Sequence, residues 1–179
     1  MSTRWKPSVT VAAVIEDGGR FLLVEERTPE GLKLNNPAGH LDPGESPEQG
    51  VVREALEETA RVFTPDRLVG VYLARMQRAA TLEDITYLRF AYGGTVGEAD
   101  PTRELDEPIV RTLWMTLAEV RASVARHRSP LVLQCIEDFA AGRRFPLDVV
   151  TTHASVAAEA PATSPSPSVP LSPWPQPPA

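Results

Sequence analysis

The stretch Gly39–Ala60, GHLDPGESPEQGVVREALEETA, carries six acidic residues and one arginine across a loop and the helix predicted to follow it. Glu54, Glu57 and Glu58 lie at positions i, i+3 and i+4, so on a helix they share one face. Like charges at these spacings repel by about 0.2–0.5 kcal/mol per pair, and the helix macrodipole disfavours anions near the C-terminus. A hard divalent cation reverses both penalties, because Mg²⁺ prefers carboxylate and water oxygens. The pattern therefore indicates a metal-dependent site.

This spacing resembles the signature of the Nudix hydrolases, G-x5-E-x7-R-E-u-x-E-E-x-G-u, in which u is an aliphatic residue. The first glycine of the signature and all of its charged positions are present. The matching residues are Gly39, Glu45, Arg53, Glu54, Glu57 and Glu58. Ala60 and Arg61 depart from its last two positions, which end the helix and do not hold metal. The resemblance implies an α/β fold, the Nudix α/β/α sandwich with a mixed β-sheet.

The resemblance also implies a reaction, in which water attacks a phosphorus of a diphosphate linked to another group. Glu54 and Glu58 would then be the main metal ligands, and the carbonyl of Gly39 would complete the site. Glu57 would be a further ligand or the catalytic group that orients the attacking water. The implied cofactor is Mg²⁺, for which Mn²⁺ can substitute, since such a reaction requires neutralised phosphate oxygens and an aligned water.

Arg53 and Glu45 are expected to support the metal ligands as part of the catalytic machinery. By the resemblance, Arg53 holds Glu45 or a helix carboxylate in place through a bidentate pair. Glu45 itself fits either a structural hydrogen bond or a ligand role. The alternative for the glutamates is a solvated helix face joined by pairs such as Glu57 with Arg61. The loop residues Gly39 and Glu45 match the signature together with the helix residues, and this match favours the metal site.

Three groups of residues outside the helix are candidates for the remaining chemistry. The general base in this family often comes from a later loop, and here Glu107 is preferred over its neighbours Glu104 and Asp106; an exposed acid without a catalytic role is the alternative for each. His40 could donate a hydrogen bond to a substrate phosphate, or it could fix the loop. Arg27 is a candidate for substrate binding, with a plain surface arginine as the alternative.

The resemblance extends beyond the signature to a group of bacterial Nudix phosphatases, the NudJ group. It rests on the segments KPSVTVAAVI, FLLVEE, NPAGHLDPGE, TYLRFAY, RSPLV and RRFPLD, which together span residues 6–148. It implies release of orthophosphate from nucleoside tri- and diphosphates, and from hydroxymethylpyrimidine and thiamine pyrophosphates. Leu34 stands where that group is expected to carry a tryptophan, which puts stacking on a substrate ring in doubt.

Two other functions remain open on the sequence. A Nudix pyrophosphatase of another specificity would cleave ADP-ribose or a dinucleotide polyphosphate and release nucleoside monophosphate. A domain without catalytic activity would act as a ligand sensor. Regulatory relatives of the second kind often lose a signature glutamate, and all of them are present here.

Composition limits the partners. The net charge of −6 argues against nonspecific binding of nucleic acid through a basic face. No apolar run approaches the ~20 residues that span a bilayer, and the first residues lack the apolar stretch of a signal peptide. The single cysteine, Cys135, excludes an internal disulfide and fits a reducing cytoplasm. We therefore expect a cytoplasmic monomer or homodimer that binds a small diphosphate or nucleotide, with no nucleic-acid or membrane partner.

Local patterns predict the order of elements. Strands at 8–15 and 21–25 form a hairpin, residues 26–35 form a loop, and Ser46 caps the helix that buries Val52, Ala55 and Leu56. Further strands are expected at 68–75, 85–92 and 110–115, with Gly93 and Gly94 ending the second of these. Helices are expected from Thr116 to about position 127 and from Ser129 to a stop at Gly142.

The composition changes from position 151 onward. Residues 151–179 hold eight of the eighteen prolines together with many alanines and serines. Such a segment buries too little apolar surface to offset its ordering entropy. The predicted organisation is a Nudix hydrolase domain at 1–150 and a disordered tail at 151–179.

Overall fold

The computed structural model describes residues 4–78 and 83–157. Its strands and helices are β1 (Ser8–Asp17), β2 (Arg20–Thr28), β3 (Gly31–Asn35), β4 (Ala38–His40), α1 (Pro47–Thr59), β5 (Phe63–Arg78), β6 (Glu83–Val96), β7 (Ile109–Thr116), α2 (Leu117–Ala122) and α3 (Leu131–Ala140). Within this part of the chain, no helix is long and apolar enough to span a membrane. Most of the predicted tail, from position 158, lies outside the described residues, and its disorder stays a prediction.

The strands form one mixed sheet in the order β3-β2-β1-β6-β5, with β4 paired to β1 and β7 paired to β2. Strands β1 and β6 run parallel, and every other pairing is antiparallel. One face packs against α1 and the other against α2 and α3, because neighbouring residues of β1 point to opposite cores. The predicted α/β architecture with a mixed sheet is confirmed.

Helix α1 begins and ends as its sequence predicts. Ser46 accepts a hydrogen bond from the Gln49 N–H while the Gln49 side chain accepts from the Ser46 N–H, and Pro47 occupies the first turn. Ala60 ends the helix in the left-handed conformation, with φ of 54°. An alanine at the signature's glycine position therefore keeps the turn, although this conformation costs a residue with a Cβ about 1–2 kcal/mol.

The buried face of α1 differs in part from the predicted one. Ala55 is buried as expected, but Val52 and Leu56 are only half-buried, and Val51 takes the central position in the core. Gly50 is also buried on this face. A Cβ at Gly50 would lie 2.7 Å from the Glu45 carboxylate, so this glycine allows the preceding loop to pack on the helix.

Three other predicted boundaries are wrong. Residues 26–35 are not a loop, because β2 continues to Thr28 and β3 occupies Gly31–Asn35. Strand β6 does not end at its two glycines but continues to Val96. The helix that starts after Thr116 stops at Ala122, and a 3-10 turn covers Val124–Arg126.

Gly94 in β6 is required by the close approach of β5. An added Cβ there would overlap the Thr64 carbonyl oxygen and lie 2.8 Å from the Phe63 ring. We expect Gly94→Ala to destabilise the fold by about 1–3 kcal/mol through overpacking, which lowers Tm by about 2–12 °C. The matched control is Gly97→Ala, where nothing lies within 4 Å. Equal Tm values for the two variants would contradict the proposed role of Gly94.

Candidate active site

Arg53 on α1 binds the signature carboxylates together. Its Nε and Nη2 donate to the two oxygens of Glu45 at 3.0 and 2.7 Å, a bidentate pair. Its Nη1 donates to Glu54 at 2.8 Å and to Glu57 at 3.0 Å. Nη2 also donates to the carbonyl of His40 at 3.0 Å. One guanidinium therefore joins the loop to the helix.

The loop that carries Glu45 is also held by its own hydrogen bonds. Glu45 Oε1 accepts from the Asp42 N–H at 2.7 Å. The hydrogen bonds from Arg53 are the main reason that the pKa of Glu45 lies below its ordinary value, and the Asp42 N–H acts in the same direction. Glu45 is thus held as an anion by Arg53, which favours the structural role among the two that the sequence left open.

The pKa values of Glu54 and Glu58 are shifted in the direction opposite to that of Glu45. Burial raises the pKa of Glu54, and Arg53 opposes that effect only in part. Burial likewise raises the pKa of Glu58 to about 9; the Ala38 N–H lowers it, while the charges of Glu54 and other acids raise it further. The Ala38 N–H donates to Glu58 Oε2 at 2.8 Å. The protein's own groups therefore supply too little positive charge to offset the burial of these two carboxylates.

Gly39 lies directly beneath Glu54. An added Cβ at Gly39 would overlap both carboxylate oxygens of Glu54. The backbone of β4 and the carboxylates of α1 can approach only because position 39 has no side chain. This is the physical reason that the first glycine of the signature belongs with its glutamates.

The donor chemistry of this cluster suits a hard divalent cation. Two partly buried carboxylates of raised pKa, on Glu54 and Glu58, adjoin the main chain of Gly39 and Ala38 respectively. Within residues 4–78 and 83–157, no set of three or more His, Cys, Asp or Glu side chains is arranged to hold a metal. A partial protein set is typical of Mg²⁺, which keeps several waters and takes further oxygens from substrate phosphates. The residues present therefore fit such an ion, and the ligand assignments stay predictions.

The loop before β7 brings an acid to this cluster. The Asp106 N–H donates to the Glu57 carbonyl at 3.0 Å, and the charge of Asp106 contributes to the raised pKa of Glu58. All three acids of this loop are exposed, namely Glu104, Asp106 and Glu107, which is the preferred base on the sequence. Asp106 differs from the other two in its backbone hydrogen bond to α1. The assignment of Glu107 as the base stays a prediction.

A cavity of about 200 Å³ lies beside β4, next to the carboxylate cluster. Ala38 and Gly39 belong to both features, since they contact Glu58 and Glu54 and also line the cavity. The remaining lining residues come from six strands, from the loop before α3 and from the start of α3: Thr10, Glu26, Asn35, His40, Ala74, Met76, Tyr87, Arg89, Arg128, Ser129 and Leu131.

The predicted substrate-binding residues occupy different places. His40 lines the cavity with its ring 6.3 Å from the Tyr87 ring, while its carbonyl is held by Arg53, so it fits both roles that the sequence left open. Arg27 is exposed and is not among the residues that line the cavity. Leu34 is fully buried in the core beneath α3, so this side chain offers no surface to a substrate ring.

Sequence reasoning missed the arginines of the cavity, Arg89 and Arg128. Arg89 occupies the middle of β6, in the segment TYLRFAY, and is 7% exposed. A charged residue inside an otherwise apolar strand was the signal available, because such a residue is seldom buried without a specific reason. The approach of Arg128 to the same cavity depends on tertiary structure.

The fold and the carboxylate cluster define a family. A model of the NUDIX domain matches residues 4–135. A NUDIX hydrolase structure from Nitrosomonas europaea has 52% identity and a TM-score of 0.75, over 83% of this chain and 98% of that one. The chain therefore belongs to the Nudix family and is a Nudix hydrolase.

Within the family, the chain is NudJ-like. It is 32% identical over 146 residues to phosphatase NudJ of Escherichia coli K12, which covers 82% of this chain and 92% of that protein. The NUDIX domain of Shewanella oneidensis NrtR, solved in complex with ADP ribose, has 22% identity and a TM-score of 0.59, over 77% of this chain and 89% of that one. The second similarity concerns the fold alone. The predicted resemblance to the NudJ group is confirmed.

Arg53→Lys tests whether the guanidinium organises the site. A lysine keeps the charge but cannot form the bidentate pair with Glu45 while also reaching Glu54 and Glu57. We expect hydrolytic activity to fall by about 10–100-fold, as for other groups that orient metal ligands, and Tm to fall. The control is Arg75→Lys, which removes an exposed two-bond pair with Asp84. Equal activity of the two variants would show that Arg53 does not organise the site.

Proposed function

We propose that this Nudix hydrolase cleaves phosphoanhydride bonds with release of orthophosphate and requires Mg²⁺. Its proposed substrates are nucleoside tri- and diphosphates, together with hydroxymethylpyrimidine and thiamine pyrophosphates. The observation that carries the proposal is the pair of partly buried carboxylates, Glu54 and Glu58, beside a cavity that shares Ala38 and Gly39 with them. A phosphate chain at the carboxylates can thus extend its substituent into the cavity.

Each residue of the cluster has a proposed part in this reaction. Glu54, Glu58 and the Gly39 carbonyl would hold the divalent ion, with Glu57 as a further ligand or as the group that orients water. When bound, Mg²⁺ supplies neutralisation of charge on the diphosphate oxygens. Arg53 and Glu45 position the carboxylates of the helix relative to the loop. The acids of the loop before β7 are the proposed source of a group that accepts a proton from water, and the hydrogen bond between Asp106 N–H and the Glu57 carbonyl supports this.

The similarity to phosphatase NudJ supports orthophosphate as the product, because it covers most of both chains. At 32% identity, differences at individual residues can still change which substrate is preferred. Leu34 is one difference already noted. We further propose that residues 1–150 carry the activity. A cytoplasmic location and a monomeric or homodimeric state also stay predictions.

A hydrolysis screen tests the proposal on the full-length chain. It would cover nucleoside di- and triphosphates, thiamine pyrophosphate, hydroxymethylpyrimidine pyrophosphate and ADP-ribose, with and without Mg²⁺, and would measure orthophosphate and nucleoside monophosphate separately. We expect Mg²⁺-dependent orthophosphate from the first four substrates. We expect Glu58→Gln to lose at least about 100-fold in rate, since it removes one carboxylate from the charge that holds the ion. Its Tm in EDTA should not fall, because a glutamine can still accept the Ala38 N–H.

Two outcomes of this screen would redirect the proposal. Nucleoside monophosphate from ADP-ribose alone would keep the metal site and reject orthophosphate release. No turnover of any substrate would favour a ligand sensor. Full activity of Glu58→Gln would contradict the metal-binding role of the helix carboxylates.

The general base is tested by comparing two neighbours in one loop. If Glu107 is the base, Glu107→Gln should lower kcat by ~10²–10⁴, and Asp106→Asn should leave most of the rate. The reverse result would assign the role to Asp106, whose backbone is hydrogen-bonded to Glu57. Glu104→Gln is the matched control, because this residue is an exposed acid of the same loop. An unchanged rate in all three variants would place the base elsewhere.

A further inference from the structure

Two aromatic rings form part of the wall of the cavity beside β4. Among the described residues that line it, His40 and Tyr87 carry the aromatic side chains. Their ring centroids lie 6.3 Å apart, and the planes of the two rings meet at 48°. This separation falls within the range of about 4.5–7 Å for aromatic rings in contact. The two rings therefore form one continuous surface, which we call the aromatic wall.

The register of the strands directs the Tyr87 ring toward the cavity. Tyr87 and Arg89 are two residues apart on β6, so both side chains point to the same face of the sheet, and both line the cavity. The partner of Tyr87 on β5 is Ala74, which lines the cavity as well. A neighbour as small as alanine leaves space beside the phenol ring, because directly opposed side chains on a sheet are otherwise in contact. The sheet thus holds the Tyr87 ring at the edge of an open volume.

The aromatic wall is accessible, in contrast to the side chain at position 34. Leu34 is fully buried in the core that faces α3, whereas Tyr87 is half-buried and His40 is exposed. Rings with accessible surface can bind a further ring in an offset or tilted arrangement. The structure therefore offers a surface for ring stacking on β4 and β6, away from the position where the sequence put stacking in doubt.

The size and the walls of the cavity suit one aromatic ring. Its volume is about 200 Å³, and a cavity of about 150 Å³ is sufficient for a benzene ring. Ala74, Met76 and Leu131 supply apolar surface to the walls. Methionine adapts its shape and makes favourable contacts with the edges of aromatic rings. Aromatic and apolar walls with a few polar groups are typical of sites for small molecules.

The aromatic wall lies next to the residues that contact the carboxylates. His40 follows Gly39 in β4, and its carbonyl accepts a hydrogen bond from Arg53 at 3.0 Å. Gly39 lines the cavity and also lies directly beneath Glu54. A diphosphate at the carboxylates can therefore place the group attached to it beside the aromatic wall.

We propose that Tyr87, supported by His40, determines substrate specificity by stacking on an aromatic heterocycle carried by the diphosphate. This inference rests on the proposed function, since the cavity would receive the group attached to the phosphates. Stacking tolerates different rings, because every base has a π-face. Tyr87 therefore selects for the presence of a ring and not for a particular base. It contacts the substrate and takes no part in holding metal or water.

The test compares two ligands that differ in the ring and lack a phosphoanhydride bond. Isothermal titration calorimetry would measure binding of UMP and of ribose 5-phosphate to the full-length protein in Mg²⁺. We expect the wild type to bind UMP about 5–150-fold more tightly, which is the contribution of one stacked base. Tyr87→Leu should bind both ligands with similar affinity, whereas Tyr87→Phe keeps the ring and should keep the preference. The matched control, Phe145→Leu, alters an exposed ring that does not line the cavity and should also keep it.

Several results would overturn the proposal. They are equal affinity of the wild type for the two ligands, no binding of either ligand, a preference that persists in Tyr87→Leu, and a preference lost in Tyr87→Phe. If Tyr87→Leu does not fold by its melting curve, Tyr87→Met provides the same comparison, because methionine also removes the ring and fills irregular gaps. Binding is measured without turnover, so failure here is separate from failure of the orthophosphate screen. A preference for UMP that depends on Tyr87, in a protein without hydrolytic activity, would leave the inference standing and reject the proposed function.

Discussion

The ion pairs of Arg53 are the constraint on which the active site depends. Three carboxylates of one loop and one helix approach a single guanidinium, and like charges at such distances would otherwise separate the elements that carry them. The bidentate pair with Glu45 fixes the loop, and the contact with the carbonyl of His40 fixes the start of that loop. Gly50 and Gly39 make this approach sterically possible, because a Cβ at either position would contact a carboxylate. Charge and steric space therefore act together.

The active site contains acids whose charge is poorly stabilised by the surrounding protein. Glu25, another buried acid, pairs with Arg111 and Arg126, and its pKa lies below the ordinary value mainly because of the hydrogen bond from Arg111. Glu54 and Glu58 instead have raised pKa values, because burial outweighs the groups that stabilise their charge. Arg89 is the cationic counterpart, since it is buried and its Nε and Nη1 have no hydrogen-bond partner among the described residues. Groups with perturbed charge or missing hydrogen bonds are thus concentrated near β4, where the carboxylates and the cavity share Ala38 and Gly39.

Errors in the predicted elements have physical causes. Residues 26–35 were expected to form a loop because they are polar, yet they form the outer part of β2 and β3, where one face is exposed and alternation is weak. Gly93 and Gly94 suggested an end of β6, but Gly94 serves a close contact between strands and the pairing continues to Val96. In both cases a local signal was interpreted without its neighbours in the sheet. The cap at Ser46 was predicted correctly, because Ser46 and its partner Gln49 are three residues apart.

The sequence by itself determined the reactive cluster, since Glu54, Glu57 and Glu58 share a helix face through spacing alone and Arg53 lies on the same helix. Helical geometry converts such short spacings into contacts without help from the rest of the chain. Only the tertiary structure decided which groups surround that cluster. It brings Asp106 to the Glu57 carbonyl, and it places Arg89 in the wall of the cavity that adjoins Gly39. These contacts join residues far apart in the chain, and they depend on strand register and on how closely β4 and β6 approach β1.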